Sequence, residues 1–465
     1  MPARLIRSGR PDRLPAGGGA RADLRSWDRR AFLYLGMGSA LSSCLETGTS
    51  FRGSSASAAG SGASPPASDL TECVVESGAD TVVVSSMTAL EMAVAAAPPG
   101  RHILVAPGTY GVVTISFHGN GAEDKPIVIR PQNGLGTVTI NGPRWTFSEN
   151  SSWLVVEKLY FEGSRIVLQG DHNRISRCRF RNINVSASIV THAARDCRID
   201  HCDFADLNPS QGGQAQPIDI KPKYFGDGTA ARLLIDYCYF HDMNPAFGRN
   251  GMEVARTYAH QPALELARGE TVTLDHCLFE NIDIPEEGEV ITVKMGGWVT
   301  RFCTFNNVPM YYSFRTTRDS ELRSCWFEQM SGNCLNVFGP HHLVIGNRFV
   351  DGLNMRVAAG DGAWADVVSG AAPIETYAPA TNCRIIGNTF ERGRMHVGGY
   401  WSTQNQTLPA EGNLIEATSP PGAVNLISGW ESDTTVNPTT TEPYEAAVKL
   451  TPSDVGLDAP DPLCA

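Results

Sequence analysis

The chain has 465 residues, 42% of them hydrophobic, so it can bury one long core or two ordinary ones. Its formal net charge of −11 argues against general nucleic-acid binding, and an anionic partner would need a local basic groove. Internal repetition in the middle of the chain favours a single elongated domain over two compact ones.

The first seventy residues are predicted to lie outside the fold. Arg29 and Arg30 precede an apolar stretch, residues 31–41, that is too short for a permanent membrane helix and is typical of a twin-arginine export signal. The stretch ends in LSSC, which resembles a bacterial lipobox, with Cys44 as the residue that would be lipidated; a chance cysteine is the alternative. We therefore predict an exported protein that contacts a membrane only through a lipid anchor at Cys44.

Four regions follow from the composition along the chain. Residues 1–44 form the export signal, and residues 45–70, rich in Ser, Ala, Gly and Pro, form a flexible tether. After Ser86, apolar residues at helical spacing predict a short capping helix that hides the open end of a solenoid. Residues 71–427 then hold the repeats, and Thr- and Pro-rich residues 428–465 form an irregular tail along the body.

A signature of Cys or Asn followed two positions later by Phe recurs in short alternating runs, which are typical of strands. From Phe279 onward the phenylalanines are 26, 22 and 22 residues apart, and the larger gaps elsewhere suit inserted loops. About three short strands per period, without a helical pattern, predict an all-β fold: a single-stranded right-handed parallel β-helix. The copies are Cys178/Phe180, Cys202/Phe204, Cys238/Phe240, Cys277/Phe279, Cys303/Phe305, Cys325/Phe327, Asn347/Phe349 and Asn388/Phe390.

The cysteine column is predicted to be structural. Six of the twelve cysteines share one repeat position, cysteine is small and readily buried, and no CxxC pair with zinc-site spacing occurs. Cys73 and Cys464 flank the repeats and can pair if the protein is exported, but the sequence leaves their connectivity open.

Two cationic residues lie one period apart. Alternation around residue 312 sends Tyr312 and Phe314 inward and Tyr311 and Arg315 outward, and the same logic sends Lys294 outward. Lys294 and Arg315 are then neighbours on adjacent coils, about 4.8 Å apart along the stacking direction. Two adjacent cations repel each other unless an anion or a catalytic need offsets the repulsion.

An acidic run precedes this pair. Strict alternation would bury Glu289 at a cost on the order of several kcal/mol, so a turn or bulge is predicted near residues 286–289. Glutamates at 286, 287 and 289 suit Ca²⁺, although a solvated acidic turn is the alternative. Asn250, two repeat units upstream by the count of phenylalanines, can add an amide oxygen if the insert at residues 258–268 loops out.

These motifs resemble polysaccharide lyase family 6, the β-helical lyases that include alginate lyases and chondroitinase B. The matching segments are the Asn-Gly pair at Asn250, the pattern ExEVITxK from Glu287 to Lys294, and the Phe-Arg pair at Arg315. The resemblance implies that Asn250, Glu287 and Glu289 bind calcium, that Lys294 is the catalytic base and that Arg315 is the acid. Two threonines follow Arg315 where the family has His-Gly.

The resemblance also implies the reaction, a β-elimination on a uronate-containing polysaccharide of the alginate or dermatan/chondroitin type. Separately, we expect the protein to be a monomer, although the sequence does not determine its oligomeric state. Arg256, Tyr311, Arg318 and His341 are candidate substrate contacts, with ordinary surface roles as the alternative. Competing interpretations are a β-helical glycoside hydrolase or epimerase, and a non-catalytic glycan-binding β-helix tethered to the cell surface. Only a lyase generates the ultraviolet absorbance of a 4,5-unsaturated uronate.

Overall fold

The computed structural model describes residues 80–111, 113–192, 194–221, 232–257, 271–369, 371–372, 376–398, 408–416, 427–428, 435–437, 443–457 and 459. The predicted export signal, the tether, Cys44, Cys73, Cys464 and the insert at residues 258–268 lie outside these residues. Within the described part of the chain, no helix has the length and apolarity needed to cross a bilayer.

Three parallel sheets, named A, B and C in the order in which the chain visits them, run the length of the molecule. From β2 (His102–Val105) to β35 (Leu414–Glu416) the chain passes from A to B to C and then returns to A one step further on, so each circuit is one coil. This arrangement confirms the predicted parallel β-helix.

Sheet A has fourteen strands. They are β1 (Thr81–Val84), β2 (His102–Val105), β5 (Ile127–Pro131), β8 (Leu154–Glu157), β11 (Arg174–Ser176), β14 (Cys197–Asp200), β17 (Leu233–Asp236), β20 (Val272–Asp275), β23 (Trp298–Arg301), β26 (Glu321–Arg323), β29 (Leu343–Ile345), β32 (Arg384–Ile386), β35 (Leu414–Glu416) and β37 (Thr435–Asn437).

Sheet B has eleven strands. They are β3 (Gly108–Tyr110), β6 (Val138–Asn141), β9 (Tyr160–Glu162), β12 (Arg179–Arg181), β15 (Asp203–Phe204), β18 (Tyr239–Met243), β21 (Leu278–Ile282), β24 (Thr304–Val308), β27 (Trp326–Met330), β30 (Arg348–Phe349) and β33 (Thr389–Phe390).

Sheet C has twelve strands and carries the candidate site. They are β4 (Val113–Phe117), β7 (Pro143–Phe147), β10 (Arg165–Leu168), β13 (Ile189–His192), β16 (Ile218–Lys221), β19 (Ala255–Thr257), β22 (Glu289–Val293), β25 (Tyr311–Phe314), β28 (Asn333–Val337), β31 (Asn354–Val357), β34 (Met395–Val397) and β36 (Ile427–Ser428).

The repeated phenylalanines form a continuous column inside the helix. From Phe180 to Phe390 each ring stacks on the next, with centroids 4.6 to 5.0 Å apart, because the register of sheet B puts these residues opposite one another. The nine described cysteines are free and buried, and burial raises the pKa of the Cys277 and Cys303 thiols. The cysteine column is therefore part of the core, as predicted.

The N-terminal end is covered by helix α1 (Met87–Ala95). The side-chain oxygen of Ser86 accepts a hydrogen bond from the backbone N–H of Ala89 and caps the helix, while Leu90 and Val94 join the main core. One strand, β1, precedes the helix and pairs with β2, so sheet A begins on the N-terminal side of the helix. Helix α2 (Trp364–Ser369) lies in an insert between β31 and β32.

The C-terminal end differs from the predicted boundary at Ser428. Residues Thr435–Asn437 pair with β35 and extend sheet A, because the β-branched Thr-Val pair suits a strand despite the polar composition around it. Residues 443–457, which include the 3-10 helix Pro452–Asp454, lie along the turns that join sheets A and B. Ser324 donates a hydrogen bond to the carbonyl of Glu445, and Gly456 donates one to the carbonyl of Tyr237.

Candidate active site

Lys294 and Arg315 lie at the ends of neighbouring strands of sheet C. Val293 is opposite Phe314 in the register of β22 and β25, and the backbone N–H of Arg315 donates to the carbonyl of Val293 at 3.0 Å. Val293 and Phe314 are fully buried in the main core, so the residue that follows each of them points to the outer face. The two cations are therefore on adjacent coils of one outer wall.

A bulge in β22 changes the direction of the acidic residues. Glu289 is opposite Tyr311 and Ile291 is opposite Tyr312, so Val290 is an extra residue in the strand. The bulge was predicted near residues 286–289, and its position at Val290 keeps Glu289 on the side of Arg315. Oε2 of Glu289 accepts a hydrogen bond from Nη1 of Arg315 at 2.9 Å.

Three buried carboxylates meet beside these cations. One oxygen from each of Glu253, Glu287 and Glu289 lies within 4.8 Å of the others. Burial, followed by the charge of Glu253, raises the pKa of Glu287 to about 6, although hydrogen bonds from backbone N–H groups act in the opposite direction. Burial also raises the pKa of Glu289, although Arg315 lowers it.

The backbone aims Glu287 into this cluster. Its Oε2 accepts from the N–H groups of Gly251 and Met252, and its Oε1 accepts from the N–H groups of Gly288 and Glu289 at 3.0 Å. Gly251 has φ of +95°, a conformation that L side chains rarely adopt, and this lets the loop turn its N–H toward the carboxylate. The loop before β19 and the turn before β22 are thus joined through Glu287.

Asn250 is exposed in the same loop, and the third member of the cluster is Glu253. Strand β19 pairs directly with β22, so this loop is one coil upstream of the acidic run, not two as the phenylalanine count predicted. The signal in the sequence is a repeated Glu-Val pair, at Glu253 and again at Glu289, that aligns when the two strands are placed in register. Asn250 as a ligand stays a prediction.

The cluster has the properties of a divalent cation site. Its three carboxylates are buried, and Oε1 of Glu289 has no hydrogen-bond partner among the described residues. A buried carboxylate oxygen without a partner is costly, and oxygen ligands are those that hard cations such as Ca²⁺ prefer. Glu253, Glu287 and Glu289 can therefore hold a metal ion.

Lys294 is set against the same cluster. Its Nζ lies 4.0 Å from Oε1 of Glu253, and its backbone N–H donates to Oγ1 of Thr257 at 2.7 Å. Burial lowers the pKa of Lys294, Glu253 raises it, and Arg315 lowers it again, with a net decrease from the usual value. A lysine with a lowered pKa is more readily neutral, which is the state that a proton acceptor needs.

A tyrosine from a distant insert completes the surroundings of Arg315. Nε of Arg315 donates to the hydroxyl of Tyr377 at 2.6 Å, and the guanidinium carbon lies 5.0 Å from the centre of the Tyr377 ring. Burial alone lowers the pKa of Arg315, but Glu289 and Tyr377 outweigh it and raise the pKa. Tyr377 comes 62 residues after Arg315 in an insert without periodicity, so no sequence pattern indicated it.

The four predicted substrate contacts fall into two groups. Tyr311 is half-buried beside the site, where its ring occupies the space a side chain at Gly288 would fill. Arg256 donates from Nη1 to the carbonyl of Gly251 at 2.6 Å, so it braces the loop that carries Glu253. Arg318 and His341 instead both lie against Asp319 in a turn between sheets C and A.

Thr317, where the resemblance would place a glycine, has a structural role. Its buried hydroxyl donates to the carbonyl of Met295 at 2.7 Å and lies 2.6 Å from the hydroxyl of Ser320. Asn336 is buried on the outer face of β28, opposite Ser313 in the register. Both residues are enclosed, so neither exposes its polar group to solvent beside the site.

A family model described as chondroitinase B matches residues 84–420. No curated protein sequence matches the chain. Among solved structures, a family 6 polysaccharide lyase from Pseudopedobacter saltans is 18% identical with a TM-score of 0.63, over 83% of this chain and 100% of that chain.

Two further structures are similar. The family 6 alginate lyase AlyGC is 17% identical with a TM-score of 0.61, over 80% of this chain and 53% of that chain. A mannuronic-acid-specific family 6 lyase from the human gut microbiota is 18% identical with a TM-score of 0.57, over 77% of this chain and 82% of that chain. At these identities the structural likeness shows the fold.

Proposed function

The chain belongs to the chondroitinase B family of polysaccharide lyases, and we propose that it cleaves a uronate-containing polysaccharide by calcium-assisted β-elimination. The observation that carries the proposal is the position of Lys294 and Arg315 on adjacent coils, beside the buried carboxylates of Glu253, Glu287 and Glu289. A glycan-binding solenoid has no need for a lysine of lowered pKa held against such a cluster.

Lys294 is the proposed base. The C5 hydrogen of a uronate is alpha to a carboxylate, and its removal leaves a second negative charge on that group. Lys294 takes this proton as the C5–H bond breaks, and the electron pair forms the C4=C5 double bond. The lowered pKa of Lys294 supports this role, because only the neutral amine can accept a proton.

The three glutamates are the proposed calcium ligands. Glu253, Glu287 and Glu289 would hold Ca²⁺, which would supply electrostatic stabilisation for the charge that develops on the substrate carboxylate. Asn250 remains a candidate fourth ligand because its loop is fixed to Glu287 through the N–H of Gly251. The choice of calcium rests on the all-oxygen donor set.

Arg315 is the proposed partner of the leaving oxygen. As the C4–O bond breaks, its electron pair passes to that oxygen, and the fixed guanidinium donates a hydrogen bond to it. Arginine holds its own protons tightly, so the proton that completes the leaving hydroxyl comes from solvent through this contact. The product is a shorter chain with a 4,5-unsaturated uronate at its new non-reducing end.

The proposed substrate is an anionic uronate polymer of the alginate or dermatan/chondroitin type. Several similar structures are alginate lyases, and one of them holds a trisaccharide. Earlier coils of sheet C carry outward-facing cations: Arg144 is opposite Arg165, and Lys221 is exposed on β16. In a protein of net charge −11, such a local group of cations supports an anionic substrate. We also propose that the enzyme is exported and acts as a monomer.

The test is turnover of defined polymers by the purified protein, followed by the ultraviolet absorbance of the unsaturated product. Alginate, dermatan sulfate, chondroitin sulfate and polygalacturonate are compared with calcium and with a chelator. We expect absorbance to rise with at least one uronate polymer, to stop with chelator and to return with added calcium. New reducing ends without absorbance would indicate a hydrolase, and binding without either product would indicate a glycan-binding protein.

A further inference from the structure

The insert between β31 and β32 covers the outer wall of sheet C next to Arg315. Phe338, Ala358 and Tyr377 form a small buried cluster of their own, separate from the main core. In the register of sheet C, Phe338 occupies the position one coil beyond Arg315, since its N–H donates to the carbonyl of Phe314. The wall that carries the two cations therefore becomes apolar and enclosed on its next coil.

Tyr377 is fixed within this cluster from both ends. Its backbone N–H donates to the side chain of Asp361 at 2.7 Å, and the N–H of Asp361 donates to the carbonyl of Tyr377 at 3.0 Å. Its ring packs on Phe338 with centroids 5.1 Å apart, and only 4% of the residue is exposed. A side chain so enclosed has little rotational freedom, and its hydroxyl is a fixed acceptor.

We infer that Tyr377 is a positioning residue for Arg315. The hydroxyl receives the Nε–H of Arg315 while Glu289 receives Nη1, so two edges of the planar guanidinium are fixed at once. The ring of Tyr377, 5.0 Å from the guanidinium carbon, adds a cation–π contact that limits movement toward the insert. A guanidinium fixed in plane and direction is aligned before substrate arrives.

This inference rests on the proposed function, in which Arg315 stabilises the leaving oxygen. Tyr377→Phe removes the acceptor hydroxyl and keeps the ring, and it should lower kcat by about 10- to 100-fold, the factor expected for a hydrogen bond to a charged group. KM should change less than about threefold, because the role is in the transition state. Tyr377→Leu, which also removes the ring, should lower kcat further.

The matched control is Tyr239→Phe. Tyr239 donates a hydrogen bond to Glu280 at 2.7 Å on the outer side of sheet B, so the same substitution removes a comparable bond away from the site. It should leave kcat and KM unchanged. In an Arg315→Lys background, which lacks the Nε–H, Tyr377→Phe should lower kcat no further, whereas a merely structural role would give the same loss in both backgrounds.

A crystal structure of Tyr377→Phe separates this inference from the proposed function. We expect the Arg315 guanidinium to leave its position between Glu289 and residue 377. An unmoved guanidinium, or wild-type kcat in an active enzyme, would overturn the positioning role. Absence of unsaturated product with the wild-type protein on every polymer would overturn the proposed function, and the position of Arg315 in the variant would still decide this inference.

Discussion

Nη1 of Arg315 lies 2.9 Å from Oε2 of Glu289, so the residue proposed to stabilise the leaving oxygen and a proposed calcium ligand form a direct ion pair. The pair joins two coils of sheet C, because Glu289 begins β22 and Arg315 follows β25. Charge at the cation site and the direction of the guanidinium are therefore linked, and each should respond when the other is changed.

Arg315→Ala should raise calcium affinity by about tenfold while it abolishes turnover, because a cation that competes for Glu289 is removed. Isothermal titration with calcium measures the affinity, and polymer turnover measures the activity. Arg318→Ala is the matched control, since Arg318 is paired with Asp319 in a different turn. Unchanged or weaker calcium binding by Arg315→Ala would show that the ion pair does not oppose the metal.

Lys294→Ala should lower kcat by at least about 100-fold with the fold intact, because the amine proposed to accept the C5 proton is removed. Circular dichroism and the Tm verify folding. Lys449→Ala, which removes a surface lysine paired with Glu328, is the control and should retain wild-type kcat. Near-normal turnover by Lys294→Ala would refute the assigned base.

Glu253→Gln should lower calcium affinity by at least about tenfold, since an amide replaces one of three clustered carboxylates at nearly constant volume. The Tm of the wild type should rise on adding calcium, and this rise should be much smaller in the variant. Asn250→Ala, compared in parallel, should have the smaller effect because Asn250 is exposed. The reverse order would restore Asn250 as the principal upstream ligand.

The free energy of unfolding should fall in acid because His342 becomes protonated. This residue is buried, its Nδ1 accepts from the N–H of Ser320, and its Nε2 contacts the carbonyl of Phe338, so its neutral form fits. Burial lowers its pKa from 6.5 to about 4. Between pH 6.5 and pH 4 the unfolded chain therefore binds more protons than the folded protein. The stabilisation is complete above pH 6.5 and is lost as pH falls toward 4, a change of about 3 kcal/mol in the free energy of unfolding.

Urea denaturation of the wild type and of His342→Gln, measured between pH 4 and 7, gives the contribution of this single residue. The difference between the two unfolding free energies should grow in favour of the wild type as pH rises. Parallel pH profiles for the two proteins would show that His342 is not responsible.

The fold could be predicted because the Cys/Asn and Phe residues occupy the same position on successive coils. The proximity of Lys294 and Arg315 could be predicted because one regular coil separates them. Glu253 was harder to predict because it precedes an insert that changes the spacing between coils to 36 residues, so its alignment with Glu289 requires the register of β19 and β22. Tyr377 could not be predicted. It contacts Arg315 from an insert between two strands. The sequence of an insert does not follow the repeat of the coils, so the repeat cannot predict which residues the insert contacts.

The C-terminal segment, residues 443–457, should affect the thermal unfolding of the protein. Ser324 donates a hydrogen bond to the carbonyl of Glu445, and Arg177 donates one to the carbonyl of Leu457. These two contacts span six strands of sheet A, from β11 to β26. A β-helix in which each coil contacts only its neighbours can unfold from one end, one coil after another. Because the C-terminal segment contacts both places, it must dissociate before the coils between them can unfold. Thermal unfolding should therefore be a single sharp transition, and truncation of the chain before residue 443 should broaden that transition.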